Sequence, residues 1–212
     1  MSQVIRTYAN EKHVELIWNV GPIPIEDAVG KEIISRFESP LQSKSQFFTD
    51  TNGREMLLRT RDARPTWTVN LQEKISGNYY PINSRISLRD PAKKQSLAVL
   101  VDRSEGGSSL KDGELELMVH RRLLHDDAFG VGEALNETAF GKGLVARGAH
   151  VLFAGEEGSA LGRRSLAAQE RLLSRRLLLR SWLFFSSAKD LTFEQWQKKY
   201  AMEVSFSLRV NT

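Results

Sequence analysis

A mainly β fold, a sandwich or barrel with one or two helices after residue 158, is what this 212-residue sequence predicts. Short runs rich in β-branched and aromatic residues fill the first two thirds of the chain. Asn-Gly and Asp-Gly dipeptides sit between such runs, where tight hairpins need backbone of positive φ. No strand alternates with a long helical pattern, which argues against βαβ units.

The strand expectations follow in order. His13–Val20 (HVELIWNV) alternates in part and ends at Gly21-Pro22. Lys31–Phe37, Gln46–Thr49, Thr66–Val69, Ser84–Leu88, Ser96–Asp102, Glu114–Arg121 and Ala149–Phe153 are the further candidates. Arg85-Ile86-Ser87-Leu88 is the clearest alternation, whereas Leu97–Val101 is continuously apolar, the pattern of a strand buried on both faces. Thr51-Asn52-Gly53 and Lys111-Asp112-Gly113 are turns, and the pair Gly106-Gly107 reads as a tight bend. Ser159 is the expected cap of a helix running to about Ser174, with Leu166, Leu173 and Leu177 on one face and Arg164, Arg171 and Arg175 on another. Leu177–Phe185 reads as a buried strand, Thr192–Gln195 as a capping box and Val204–Val210 as a last strand. There is no internal repeat, and residues 1–212 are expected to form one partial domain.

Composition narrows the function. The net charge of +4 sits in one place, because residues 163–180 hold six arginines against Glu170 and the rest of the chain is near −1. The bland account of that run is the wet side of an amphipathic helix; the alternative is contact with a polyanion or a membrane surface. No apolar stretch approaches the roughly 20 residues of a membrane span, and nucleic acid is not an expected partner. Met1–Thr7 lacks the apolar core of a signal peptide. With no cysteine, disulfides and thiolate zinc sites are excluded. Asn136-Glu137-Thr138 is a glycosylation sequon, used only in the secretory pathway, though such triplets also arise by chance.

Chemical motifs mostly fail. Gly141-Lys142 lacks the spacing of a phosphate loop, Gly130-Val131-Gly132 lacks a third glycine, and Gly106-Gly107-Ser108-Ser109-Leu110 is no nucleophile elbow. His120–Asp127 (HRRLLHDD) places two histidines and two aspartates within eight residues, and His125-x-Asp127 has a metal-ligand spacing. The competing account is a strand end and a polar turn whose arginines and aspartates pair locally. No pair of carboxylates identifies an active site from spacing alone.

Longer stretches are more specific. Asn19–Pro24, Gly30–Phe37, Phe48–Glu55, Arg59–Trp67, Gly77–Arg85, Asp102–Leu110 and above all Asp112–Asp127 (DGELELMVHRRLLHDD), with Gly130–Glu133, resemble the glycoside hydrolase family 38 α-mannosidases, nearest their lysosomal branch. The resemblance is strongest over residues 14–153. It implies a galactose-mutarotase-like β-sandwich (a supersandwich) from the carboxyl-terminal part of an enzyme that cleaves α-mannosidic bonds of N-glycans with retention. It implies too that zinc and the aspartate nucleophile belong to an α/β barrel outside this chain, with no cofactor held here. The expected partners are mannose-containing N-glycans and that barrel, and the expected location is the lysosome. Arg121 and Arg122 correspond to a segment that approaches the active-site mouth, and are the expected substrate-binding residues; Asn136 is the expected glycosylation site. The alternative is a non-catalytic carbohydrate-binding or interaction module.

Overall fold

The computed structural model describes residues 1–157, 160–161, 164–179, 182–183, 185 and 190–200. They fall into two compact units, Met1–Leu179 and Arg180–Thr212.

The first unit is a β-sandwich. One sheet has seven antiparallel strands, ordered β1 (Ser2–Thr7), β2 (His13–Val20), β13 (Ala146–Glu156), β8 (Gln95–Val101), β7 (Arg85–Asp90), β4 (Gln46–Thr51) and β5 (Glu55–Thr60). The second has four, ordered β3 (Lys31–Glu38), β10 (Glu114–Arg122), β9 (Glu105–Ser108) and β6 (Tyr80–Ile82). Two-residue strands β11 (Thr138–Ala139) with β12 (Lys142–Gly143), and β14 (Ala160–Leu161) with β15 (Arg164–Ser165), form separate small hairpins.

Side-chain alternation builds the core. Phe47, Ile86, Leu88, Leu97, Val99 and Val101 of the large sheet meet Ile82, Leu115 and Leu117 of the small one. Burying each such side chain contributes about 1.5–3 kcal/mol. Strand β8 is buried on both faces, as its continuous apolar run predicts. Its Leu100 points the other way, into a second cluster with Val151, Phe153 and Leu166. That cluster lies under α1 (Leu166–Leu178), whose Leu173 and Leu177 pack against it.

Turn chemistry holds where a positive φ is required. Asn52 (φ 49°) and Gly53 (φ 70°) close the β4–β5 hairpin. Gly113 (φ 80°) enters β10 so close to the Ser39 carbonyl that a Cβ would lie 2.3 Å from that oxygen.

Three expectations are corrected. Thr66–Val69 forms no strand, and Trp67 there is exposed; β propensity without a neighbour to pair with makes no sheet. Gly106 and Gly107 lie within β9 rather than in a bend. Their lack of side chains serves close packing, since a Cβ on Gly107 would come within 2.7 Å of Ile82. The described residues of Leu177–Phe185 form no buried strand. Leu177 and Leu178 continue α1 because Leu177 keeps helical phase with Leu166 and Leu173, while Leu183 and Phe185 are exposed.

Ser165, whose hydroxyl accepts from the Ala168 N–H, caps α1. The expected cap Ser159 and the strand Val204–Val210 lie outside the described residues. In the second unit, α2 (Phe193–Lys199) opens with the expected capping box, the Thr192 side chain accepting from Gln195 N–H and the Gln195 side chain from Thr192 N–H. No helix among the described residues is long and apolar enough to cross a membrane.

Candidate functional site at the end of strand β10

Along β10, Leu115 and Leu117 point into the core, and regular alternation would send Val119 and Arg121 after them. A register shift between Met118 and His120 prevents this: Met118 lies opposite Ile34, but His120 opposite Ile33 and Arg121 opposite Glu32. One extra residue reverses the alternation, so Arg121 shares the outer face with Glu32. The Arg121 Nη1 lies 3.7 Å from Glu32 Oε1, and both side chains are nearly half exposed. A pair so long and so wet holds neither partner firmly.

Arg122 points the other way and is fully engaged. Its Nη1 donates to the Ile23 carbonyl at 2.8 Å and its Nε to the Asn136 side-chain oxygen at 2.7 Å. A Cβ on Gly143 would collide with this guanidinium. The two adjacent arginines therefore differ in kind: Arg122 ties a loop to the sheet, and Arg121 faces solvent.

Arg121 stands beside a cleft of about 570 Å³, also lined by Glu32, Ile75, Ser76, Tyr79, Glu105 and His120. Its walls are built from the small sheet. The turn Ser76–Asn78 is held by Asn78, whose amide donates to Asp62 Oδ1 and the Lys74 carbonyl and accepts from the Asp62 N–H. The next residue, Tyr79, lays its ring over Gly106, where a Cβ would stand only 3.2 Å from the ring. The Tyr79 hydroxyl donates to Glu116 Oε1 at 2.5 Å, and Arg36 Nη2 pairs with the other Glu116 oxygen at 3.1 Å. Burial, reinforced by the Glu116 carboxylate, pushes the Tyr79 hydroxyl well above the usual phenol range, so it remains a donor.

Beneath the cleft, His150 Nε2 donates to the Glu105 carboxylate at 3.0 Å, with the His150 side chain fully buried and that of Glu105 3% exposed. Trp18 and Phe37 pack against the imidazole at 5.7 and 5.9 Å. This pair joins β13 of one sheet to β9 of the other, fixing the cleft floor.

The segment after Arg122 forms no metal site. Asp126 and Asp127 accept the backbone N–H groups of Ala128 and Phe129, and His120 Nε2 lies 3.1 Å from the Leu144 carbonyl. The arginines do not pair with these aspartates as local pairing predicts, because the aspartates close their own turns. Among the described residues, no group of three His, Asp or Glu side chains is placed to hold a metal ion. This same segment exposes Phe129, Val131 and Phe140.

Sequence reasoning singled out Arg121 and Arg122, and the structure separates them. It missed Glu32, Tyr79 and Glu105. All three lie inside the stretches that carry the family resemblance, Gly30–Phe37, Gly77–Arg85 and Asp102–Leu110, which was the available signal.

Residues 1–129 match the sequence model of the glycosyl hydrolases family 38 C-terminal domain. The chain is 54% identical to the lysosomal alpha-mannosidase of Cavia porcellus over 84% of its length, and 56% identical to that of Homo sapiens over 81%. It is 39% identical to an alpha-mannosidase of Canavalia ensiformis over 98% of its length. It spans only 17% of either mammalian relative and 21% of the plant one.

Proposed function

This chain belongs to glycosyl hydrolase family 38, whose C-terminal domain it carries, and from that premise we propose that it is the β-sandwich part of a lysosomal-type α-mannosidase. The observation that carries the reading is the cleft at the end of β10, where a bulge turns Arg121 outward beside Tyr79 and Glu32. A loosely paired guanidinium can exchange Glu32 for sugar hydroxyls, donating two parallel hydrogen bonds, and a tyrosine ring offers an apolar platform to a pyranose face.

In this reading hydrolysis of mannose-containing N-glycans, with its zinc and its nucleophile, takes place on the barrel of the longer enzyme. The sandwich completes the mouth of the cleft. Exposed Phe129, Val131 and Phe140, on the segment that follows Arg122, support it: large apolar side chains left in water suit burial against that barrel. The mammalian relatives support a lysosomal location. Asn136 is exposed, and Arg122 binds its amide oxygen, leaving the amide nitrogen open to glycosylation. On passage through a secretory pathway, a shift in mobility removed by Asn136→Gln is the expected sign.

The purified 212-residue chain should release no mannose from a synthetic α-mannoside in the presence of zinc; turnover would refute the division of labour. In an enzyme joining this domain to the barrel, Arg121→Ala should lower kcat/KM about tenfold, mainly through KM, as for a contact made in both ground and transition states. Arg122→Ala should act on stability instead. Binding of an N-glycan by the chain alone, lost in Arg121→Ala, would point to a self-sufficient carbohydrate-binding module.

A further inference from the structure

A second concavity lies across the molecule's large sheet, between the β4–β5 turn, the start of β7 and the exposed side of α1. It encloses about 540 Å³ and is lined by Arg54, Arg85, Arg171 and Arg175 together with Ser84 and Ser174, and no Asp or Glu contributes to its wall. Four guanidinium groups in one cleft repel one another unless something neutralises them.

Little in the protein does. Among the described residues, the side chains of Arg54, Arg171 and Arg175 make no hydrogen bond and no ion pair; the Arg54 N–H and the Arg175 carbonyl bond only within the backbone. The Arg85 side chain is only 6% exposed, and its Nη1 lies 3.5 Å from Glu170 Oε2 without a hydrogen-bond partner. Asp50, the other carboxylate whose charge acts on Arg85, is already occupied by the backbone N–H groups of Gly53, Asn83, Ser84 and Arg85. The buried Ser174 hydroxyl likewise has no partner. Burial and the nearby positive charge of Arg171 both press against the Arg85 charge, and Glu170 offsets them only in part.

Unused buried donors, unpaired surface guanidiniums and an absence of acid in the wall are the makings of a site for an oxyanion. We propose that this cleft binds a tetrahedral oxyanion, a phosphate or sulfate group. Donors arriving from three elements suit a ligand with three or four outward oxygens better than a planar carboxylate with two. The cleft is also several times larger than one such anion, so an ester of a small sugar fits as well as the free ion. The basic run of α1 then has a local purpose: Arg171 and Arg175 face the cleft, while Arg176 lines a different depression with Tyr8 and His13.

Titration calorimetry of the full chain with inorganic phosphate, at constant ionic strength, tests this. Saturable binding is expected, weakened about tenfold or more in Arg171→Gln/Arg175→Gln, as follows from losing two charge-assisted donors. Neither side chain makes a hydrogen bond or ion pair among the described residues, so circular dichroism should show the variant intact. Arg176→Gln, on the same helix but outside the cleft, should bind within twofold of wild type. Sulfate should compete with phosphate and acetate should not. Glucose 6-phosphate binding more tightly than phosphate would mark an ester as the ligand, and equal affinity the free anion. No saturable phosphate binding, or equal losses in the Arg176 and Arg171/Arg175 variants, would overturn the assignment.

Discussion

Strands β7 and β8 have two faces, and the two are held by different physics. Toward the small sheet they present Ile86, Leu88, Leu97, Val99 and Val101, with no charged side chain among them. Toward α1 they present Arg85, Ser87, Ala98 and Leu100, equally buried, with an ion pair from Arg85 to Glu170. Apolar packing is non-directional and accumulates with area. The outer face has its own apolar cluster under α1 and adds one buried pair in which desolvation opposes the attraction: burial lowers the Arg85 pKa and raises that of Glu170, each toward its neutral form, despite a separation of 3.5 Å. The inner face is held by apolar packing alone, and the outer face by apolar packing together with a buried charge pair that fixes where the helix sits.

Several substitutions would break or sharpen that contrast. The largest effect should come from the inner face: Phe47→Ala, at a fully buried site, should cost about 3–5 kcal/mol in denaturant unfolding. Glu170→Ala leaves the buried Arg85 charge uncompensated and should cost about 3 kcal/mol or slightly more. The double change Arg85→Met/Glu170→Leu should return to within about 1 kcal/mol of wild type, or exceed it. A double variant as unstable as Glu170→Ala would show that the pair stabilises the outer face after all.

Acid should separate the faces further. The folded pKa of Glu170 lies above its ordinary value of 4.5, chiefly through burial. The folded state therefore holds that proton more tightly, and the contribution is fully present below 4.5 and lost as pH rises through the folded value. Asp50 has the opposite sign: burial raises its pKa, but the N–H groups of Ser84, Arg85 and Gly53 outweigh this and hold it below 3.8. Its contribution is present above 3.8 and lost as pH falls through the lower folded value. Relative to Glu170→Gln, wild type should gain stability as pH falls through the raised folded value toward 4.5, in paired thermal melts. A flat difference would mean that Glu170 is solvated. The smallest effect should be that of Arg176→Gln, exposed on α1, within about 0.5 kcal/mol.

Much of the inner face was legible in the chain. Period-two alternation at Ile86 and Leu88, and the continuous run Leu97–Val101, state which side chains leave water. Asn52-Gly53 and Gly113 mark turns because few other residues adopt their φ. Less legible were β1, β5, β6 and β9, short or polar strands that exist through their neighbours, and the helix end at Leu178, where buried strand and buried helix read alike. At the candidate site, Arg121 and Arg122 look equivalent in sequence. Only the register shift after Met118 assigns one to solvent and the other to Ile23 and Asn136.

By itself, then, the sequence determined the mainly β class, the sandwich core and the family, because alternation, turn dihedrals and long ordered motifs are local properties of the chain. Tertiary structure alone decided which of the two adjacent arginines faces solvent, that Gly106 and Gly107 serve packing rather than a turn, and that Arg85 is buried under a helix some eighty residues away. Each of those outcomes depends on what lies across a sheet or over it, and the free energy of burying a group belongs to its neighbours as much as to the residue.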